Sequence, residues 1–291
     1  MDGERPAYPG RVNALLPFGA RLARLLEHRA MSATALAQAA GIPAGRLDAV
    51  LASGQHDKAG AQPDKADGQP QLDEGGGQPD DDLLRRLGPA LGLHTSDLFL
   101  FAGRTVPDDL APAQVRRRVN GVVTTHAKLV HTKPAAAARL RRFVDELPVR
   151  PVRRTEPFPS DRLGTSPGGI LWRLLANRNM RVKAGALMFV GGGPYLSDST
   201  YVMACWGRIP LKESYLNAFA RTVGIPVGDL AALLGLRAAE TPWSADFSML
   251  PWNVSWPSAS VELAWAARRL DDDQIREAVR YAVALDSDTS A

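Results

Sequence analysis

A stretch of sequence that occurs twice constrains the fold more than any other feature. Leu22–Met31 and Leu171–Met180 match at leucine, arginine and methionine positions with a constant offset of 149 residues. A second pair of segments, 84–103 and 216–235, matches at apolar, glycine and aspartate positions with an offset of 132. Two copies of one small helical unit explain both matches.

The first copy has the pattern of five short amphipathic helices. Phe18, Leu22 and Leu25 fall on one helical face, Ser32 is a suitable N-cap, and Gly41 can adopt the left-handed turn that ends a helix. The expected helices are Phe18–Arg29, 33–40, Ala44–Leu51, Asp81–Leu91 and Thr95–Phe101.

The motif Leu36-Ala37-Gln38-Ala39-Ala40-Gly41-Ile42 resembles the helix-turn-helix of the XRE family, whose members are lambda-repressor/Cro-like regulators. A small residue is needed at Ala37 where two helices cross, and Ile42 would fill the core. The resemblance implies a bacterial, cytoplasmic DNA-binding regulator, with a recognition helix that starts after the turn. The high content of alanine, arginine, glycine and proline is typical of a GC-rich bacterial genome.

The second copy lacks this motif in its turn, so its assignment depends on the repeat. Gly191-Gly192-Gly193 makes a longer turn than that of the first copy, and Ser197 is a suitable N-cap for the next helix. The expected helices are Gly169–Arg178, Val182–Phe189, 198–206, Leu211–Val223 and Val227–Leu234.

The sequence between and after the copies also has helical patterns. Pro112 would occupy the first turn of a helix 114–131, although Asn120-Gly121 is also a hairpin signal. Further helices are expected at 134–147, at 258–270 after an N-cap at Ser258, and at 272–285 after one at Asp271.

The predicted fold class is therefore all-α: two lambda-repressor-like five-helix units are joined by a helical, basic middle segment and followed by a C-terminal helical hairpin. The expected divisions are a flexible arm (1–17), a first helix-turn-helix unit (18–103) with a disordered acidic insertion (53–80), a basic helical linker (104–165), a second helix-turn-helix unit (166–236), and a Trp-rich loop with C-terminal helices (237–291).

Charge is distributed unevenly along the chain, although the net charge is only +4. Residues 53–82 have a net charge of −6, residues 112–162 of +8, and the tail from residue 237 of −4. A basic centre between acidic segments indicates a polyanionic partner, and the alternative is a solvated arginine-rich helix surface.

Other chemistries have little support in the sequence. His126 and His131 are not at the spacing of a shared helical metal site, and Cys205 is predicted to be a small buried residue. The glycines at 191–193 lack the Gly-Lys-Ser/Thr that follows in a phosphate loop. The sequence therefore predicts no enzymatic activity, no metal site, no cofactor and no membrane span.

DNA contacts are expected at the N-terminal ends of the two recognition helices. The first copy offers Arg46. Asp48, two residues further along, would repel phosphate. The second copy offers hydroxyl groups, although Ser197 can alternatively serve only as the helix cap. Tyr201, Met203 and Trp206 are expected in the core. The candidate DNA-binding residues are Arg46, Lys183, Ser197, Ser199, Thr200, Arg208 and Lys212.

The candidate DNA-binding residues predict a sequence-specific transcriptional regulator that binds double-stranded DNA through one or both units. The alternative is a protein-interaction or dimerisation module, derived from a helix-turn-helix, that does not read DNA; the chain could then form a homodimer. A third hypothesis is that the acidic insertion covers a basic groove until it is displaced.

Overall fold

The computed structural model describes residues 15–53, 78–113, 115–150, 166–236 and 258–288. Within these ranges the chain forms fourteen α-helices and no strand, which confirms the all-α prediction. The helices are α1 (Phe18–His28), α2 (Ala33–Ala40), α3 (Ala44–Ser53), α4 (Asp81–Ala90), α5 (Thr95–Phe101), α6 (Asn120–Thr132), α7 (Pro134–Glu146), α8 (Pro167–Ala176), α9 (Ala184–Phe189), α10 (Asp198–Cys205), α11 (Glu213–Val223), α12 (Val227–Leu233), α13 (Ser258–Ala267) and α14 (Asp272–Ser287).

The described residues divide into two compact units. The N-terminal unit comprises residues 15–110 and 228–236, and the C-terminal unit comprises residues 111–227 and 258–288. The division differs from the domain limits expected from the repeat, because it groups nearly all of α12, the last helix of the second copy, with the first copy.

Local signals define the helix ends of the N-terminal unit. The Ser32 hydroxyl accepts a hydrogen bond from the Ala35 N–H at 3.1 Å, and Gly41 ends α2 at φ +62°, as predicted. α1 packs against α3, α2 packs against α3 and α4, and α4 packs against α5. The core consists mainly of leucines: Leu22, Leu25, Leu36, Leu47, Leu84 and Leu87.

A buried arginine holds two helix C-termini in this unit. Arg21 is only 3% exposed, and its guanidinium donates hydrogen bonds to the carbonyl oxygens of Phe101 (2.6 Å), Leu233 (2.8 Å) and Leu16 (2.8 Å). Burial lowers the pKa of Arg21 to about 10. Because Phe101 and Leu233 end α5 and α12, the positive charge lies where both helix dipoles are negative.

The two copies place an equivalent arginine in the same way. Arg29 donates to the Leu91 carbonyl at 2.7 Å in the N-terminal unit, and Arg178 donates to the Val223 carbonyl at 2.5 Å in the C-terminal unit. Arg29 and Arg178 are 149 residues apart, and Leu91 and Val223 are 132 apart, which are the two offsets of the repeat.

Backbone geometry and helix contacts also recur between the copies. The only described non-glycine residues with positive φ, Ala30 (+48°) and Asn179 (+54°), follow these arginines at equivalent positions. The contact of α1 with α3 corresponds to that of α8 with α10, and the contact of α2 with α4 corresponds to that of α9 with α11. The extensive contact of α2 with α3 has no comparable counterpart between α9 and α10, so the correspondence between the two sets of helices is partial.

The C-terminal unit contains a second group of helices beside those of the repeat. α6 and α7 pack against each other and against α13 and α14, and α6 also contacts α9. Asp271 caps α14 in a capping box with Gln274, as expected for that N-cap. α13 begins at Ser258, and the predicted capping role of this side chain lies outside the described part of the structure.

The helix predicted from residue 114 begins only at Asn120, and the hairpin alternative at Asn120-Gly121 is wrong because both residues are helical. Long-range hydrogen bonds hold the backbone before Asn120 in a non-helical path. The Ala113 N–H donates to the Arg268 carbonyl at 2.9 Å, and the Arg117 N–H donates to the Asp272 carboxylate at 2.6 Å. Pro112 therefore does not start a helix.

Most of the arm predicted to be flexible, most of the predicted acidic insertion, residues 151–165 of the predicted linker and the predicted Trp-rich loop up to residue 257 lie outside the described residues. No helix within the described ranges has both the length and the apolar character needed to cross a bilayer.

Candidate nucleic-acid interface

Three hydroxyl side chains cluster at the N-terminal end of α10. The Ser197 Oγ accepts a hydrogen bond from the Thr200 N–H at 3.3 Å, which confirms its predicted capping role. The same Oγ lies 2.7 Å from the Ser199 Oγ and 2.9 Å from the Thr200 Oγ1. Ser197 and Ser199 are exposed, so their hydroxyl groups face solvent at the start of the helix.

An ion pair joins the starts of α9 and α10. The Lys183 Nζ donates to Asp198 Oδ2 at 2.5 Å, and Asp198 Oδ1 accepts the Ala184 N–H at 2.7 Å. These hydrogen bonds, with the Lys183 side chain contributing most, hold the pKa of Asp198 below its usual range. Lys183 therefore neutralises a carboxylate that would otherwise repel phosphate at this helix end.

The exposed side of α10 is partly apolar. Tyr201 is fully buried as predicted, but Met203 (37% exposed) and Trp206 (48% exposed) face solvent, so the prediction that they lie in the core is wrong. The inward face of α10 is filled by Tyr201, Ala204 and Cys205, and Met203 lies on the opposite side of the helix. This exposure makes Met203 and Trp206 available to a partner.

Two cations follow α10 along the chain. Gly207 makes a left-handed turn at φ +68°, after which the Arg208 N–H donates to the Met203 carbonyl at 2.9 Å. The Arg208 guanidinium lies 4.9 Å from the centre of the Trp206 ring, and Lys212 is exposed immediately before α11. Both side chains can approach a phosphate backbone.

The corresponding end of α3 in the N-terminal unit is acidic. Arg46 donates to both carboxylate oxygens of Asp80 at 2.7 Å and to Asp82 at 3.0 Å. These hydrogen bonds, with that to Asp80 contributing most, raise the pKa of Arg46. Because Asp48 is exposed beside them, this end of α3 offers little positive charge to DNA.

A cleft of about 400 Å³ in the C-terminal unit concentrates positive charge. It is an open cleft lined by the segment before α6, the segment before α9 and one face of α14, where Val279 supplies apolar surface and Ile275 is buried. We call it the basic cleft, because seven of its lining residues are cationic: Arg116, Arg117, Arg118, Arg181, Lys183, Arg276 and Arg280.

Hydrogen bonds fix the backbone around the basic cleft. The Asp272 carboxylate accepts the N–H groups of Arg117 at 2.6 Å and Arg116 at 3.3 Å. The Asn120 side-chain amide donates to the Arg181 carbonyl at 3.0 Å and accepts the Arg181 N–H at 2.9 Å. Three segments that are distant in sequence are therefore held together at defined positions.

Two cations of the basic cleft, Arg118 and Arg181, are close enough to repel each other. Burial lowers the pKa of Arg118, and the neighbouring charge of Arg181 lowers it further. The Arg118 guanidinium donates to Asn179 Oδ1 at 2.6 Å, and Lys183 and Arg276 are paired with Asp198 and Asp273. Within the described residues no carboxylate pairs with the remaining exposed side chains: Arg116, Arg117, Arg181 and Arg280.

Sequence reasoning missed the contribution of α14 to this cleft, because the tail as a whole is acidic. The available signal was the spacing of Arg276 and Arg280, which are four residues apart and therefore share one helical face. The candidates Lys183, Ser197, Ser199 and Thr200 lie around the starts of α9 and α10, whereas Arg46 lies in the other unit.

Two further residues with potential chemistry are buried. His126 Nδ1 lies 2.8 Å from the Ser260 hydroxyl in the core, and burial raises the pKa of the Cys205 thiol to about 12. Among the described residues no cluster of histidine, cysteine, aspartate and glutamate could hold a metal ion.

Comparisons of the chain with family models, with curated proteins and with solved structures gave no match.

Proposed function

We propose that this chain is a bacterial, cytoplasmic regulator of the lambda-repressor/Cro-like XRE type that binds double-stranded DNA through the C-terminal unit. The proposal is supported by the exposed hydroxyl groups at the start of α10 and by the exposed cations Arg208 and Lys212 that follow its end. In this interpretation, α9 and α10 form the helix-turn-helix of the second copy, and α2 and α3 form that of the first.

The residues divide into two roles. Ser199 and Thr200 at the start of α10 would contact base edges, because a hydroxyl group can donate to or accept from any base. Arg208 and Lys212 would contact phosphates and fix the register, which carries no sequence information itself. Ser197 would remain the helix cap, and Lys183 would keep Asp198 neutralised.

The N-terminal unit would contribute little direct DNA contact. Arg46, the candidate reader of the first copy, is engaged by Asp80 and Asp82, and Asp48 adds further negative charge. The two copies of the repeat would therefore have different roles, with the first as a scaffold.

The test measures DNA binding by the full chain, with genomic fragments and fluorescence anisotropy as the readout. Affinity should fall steeply between about 50 and 200 mM salt, because phosphate contacts release counterions. Replacing Arg208 and Lys212 with alanine should weaken binding to all sequences by about tenfold or more. The matched control replaces Arg139 and Arg142, which are exposed on α7, and should retain affinity. Equal affinities of the two variants, or binding that is insensitive to salt, would reject the proposal.

A homodimerisation module is the second candidate, supported by the apolar surface beside α10. Tyr195 is 83% exposed, and Met203 and Trp206 are also exposed in the C-terminal unit. Aromatic residues and methionine are enriched at protein interfaces. Light scattering would then give a dimer mass that Met203→Ser with Trp206→Ser converts to a monomer mass. A monomer for the unmodified chain would exclude this candidate.

A further inference from the structure

The shape of the basic cleft indicates a compact ligand. Its volume of about 400 Å³ lies within the range of small-molecule sites, and a cube of that volume is about 7 Å wide. One strand of duplex DNA places a phosphate roughly every 3.4 Å along the helix axis, so such a cleft would meet only about two of them. The linked phosphates of a small ligand would bring more phosphate oxygens to the four cleft arginines that no described carboxylate pairs with.

Cationic residues border the cleft, whose accessible surface is largely apolar, so their charged groups would bind linked phosphates at its rim. Arginine guanidinium groups bind phosphate oxygens in a bidentate manner, and they come from three segments that surround the cleft. The start of α6 also lies there at Asn120, and this helix has no side-chain cap at its N-terminus. The positive end of the α6 dipole therefore adds to the charge of the arginines.

The cleft keeps like charges close together. The pKa of Arg118 is lowered mainly by burial and further by the charge of Arg181, and the hydrogen bonds of Asn120 and Asp272 hold the backbone that brings these cations together. An anion that bridges these cations would relieve the repulsion. The half-buried side chain of Val279 could contact an uncharged part of the ligand.

We propose that the basic cleft of the C-terminal unit is a binding site for a compact polyphosphate, of the class that includes nucleoside polyphosphates. Arg117 and Arg181 bind from the segments before α6 and α9, and Arg280 binds from α14. This site does not depend on base reading by α10, so it can be tested separately from DNA binding.

The test is isothermal titration calorimetry of the full chain with inorganic tripolyphosphate, and with orthophosphate at matched ionic strength. Tripolyphosphate should bind at one site, about tenfold or more tightly than orthophosphate, because several charge-assisted hydrogen bonds form at once. Absence of saturable binding, or equal affinities for the two anions, would overturn the proposal.

Variants locate the binding. Arg117→Ala with Arg280→Ala should weaken tripolyphosphate binding by about tenfold or more, whereas Arg139→Ala with Arg142→Ala on α7 should not. Arg117→Lys with Arg280→Lys keeps the charge and should retain part of the affinity, which controls for misfolding. Equal effects of the cleft variant and the α7 variant would overturn the proposal.

A short DNA duplex titrated into the same variants distinguishes the two sources of phosphate. If the cleft variant weakens duplex binding but leaves tripolyphosphate binding unchanged, the cleft is a contact for the DNA backbone and the proposal is wrong. If tripolyphosphate binding is lost while Arg208 and Lys212 still support duplex binding, the cleft is a separate site for the small anion.

Discussion

Arg29 forms a two-point ion pair with Asp229 inside the N-terminal unit, with 3.0 Å from Nε to Oδ1 and 2.7 Å from Nη2 to Oδ2. The Asp229 side chain is only 5% exposed, so the pair lies in a largely dry environment. Arg29 belongs to the first copy of the repeat and Asp229 to the second. The ion pair therefore fixes α12 in the unit built by the first copy.

Replacing Asp229 with alanine should destabilise the N-terminal unit by about 3 kcal/mol, because it leaves a partly buried guanidinium without its carboxylate. The measurement is the midpoint of urea unfolding. The control is Asp109→Ala, which removes the surface ion pair with Arg85 and should change stability little. Similar shifts in both variants would show that the buried position of the pair is unimportant.

Gly191 is predicted to be irreplaceable by alanine, whereas Gly185 is not. A Cβ at Gly191 would press on the Ala218 carbonyl and would lie 2.7 Å from the Leu187 carbonyl oxygen, so Gly191→Ala should cost about 3 kcal/mol. A Cβ at Gly185 in α9 meets nothing within 4 Å, and Gly185→Ala should stabilise by up to about 1 kcal/mol. Thermal unfolding of the two variants checks the contrast, and shifts in the same direction would contradict it.

Alanine substitutions at Ser197 and Ser199 should distinguish the role in helix capping from the role in DNA contact. Ser197→Ala removes the cap of α10 and should lower stability by about 1 kcal/mol. Ser199→Ala should leave stability nearly unchanged but alter sequence preference in a DNA selection experiment. If Ser199→Ala unfolds as readily as Ser197→Ala and keeps the original preference, the proposed division of roles is wrong.

Arg46 and Arg208 should differ in their importance for DNA binding. Arg46 is held by two aspartates in an acidic surface, so Arg46→Ala should leave the affinity for genomic fragments unchanged. Arg208→Ala should weaken it, because this side chain is exposed and no carboxylate pairs with it within the described part of the chain. Anisotropy at one fixed salt concentration measures both, and a larger loss for Arg46→Ala would place the interface in the first unit.

The stability of the chain should fall as the pH drops below 6.5, in part because of His126. Burial, with a smaller contribution from Arg141, lowers the pKa of His126 from 6.5 to about 4. Between these values the unfolded chain binds a proton that the folded chain excludes, so acid favours unfolding, by an amount on the order of 3 kcal/mol once the pH reaches 4.

Comparison with His126→Gln isolates this effect, because glutamine does not titrate and can still bond to the Ser260 hydroxyl. The urea midpoint of the unmodified chain should decrease more between pH 7 and 5 than that of the variant. Parallel decreases would mean that His126 does not contribute.

Local sequence signals determined several of the helix ends. Ser32, Ser197 and Asp271 cap the helices that were predicted to follow them, and Gly41 makes the predicted left-handed turn. The reason is that a cap or a turn is formed by backbone and side-chain hydrogen bonds within a few residues, so the sequence near each end contains all the partners.

Only the tertiary structure decided which residues share a surface. The place of α12 depends on Arg21 and Arg29, and the start of α6 depends on hydrogen bonds to Arg268, just after α13, and to Asp272 in α14. The basic cleft combines three separate segments. The exposure of Trp206 likewise depends on which side of α10 is covered by other helices. These outcomes follow from packing between distant parts of the chain, for which local periodicity supplies a buried face but does not specify the partner that covers it.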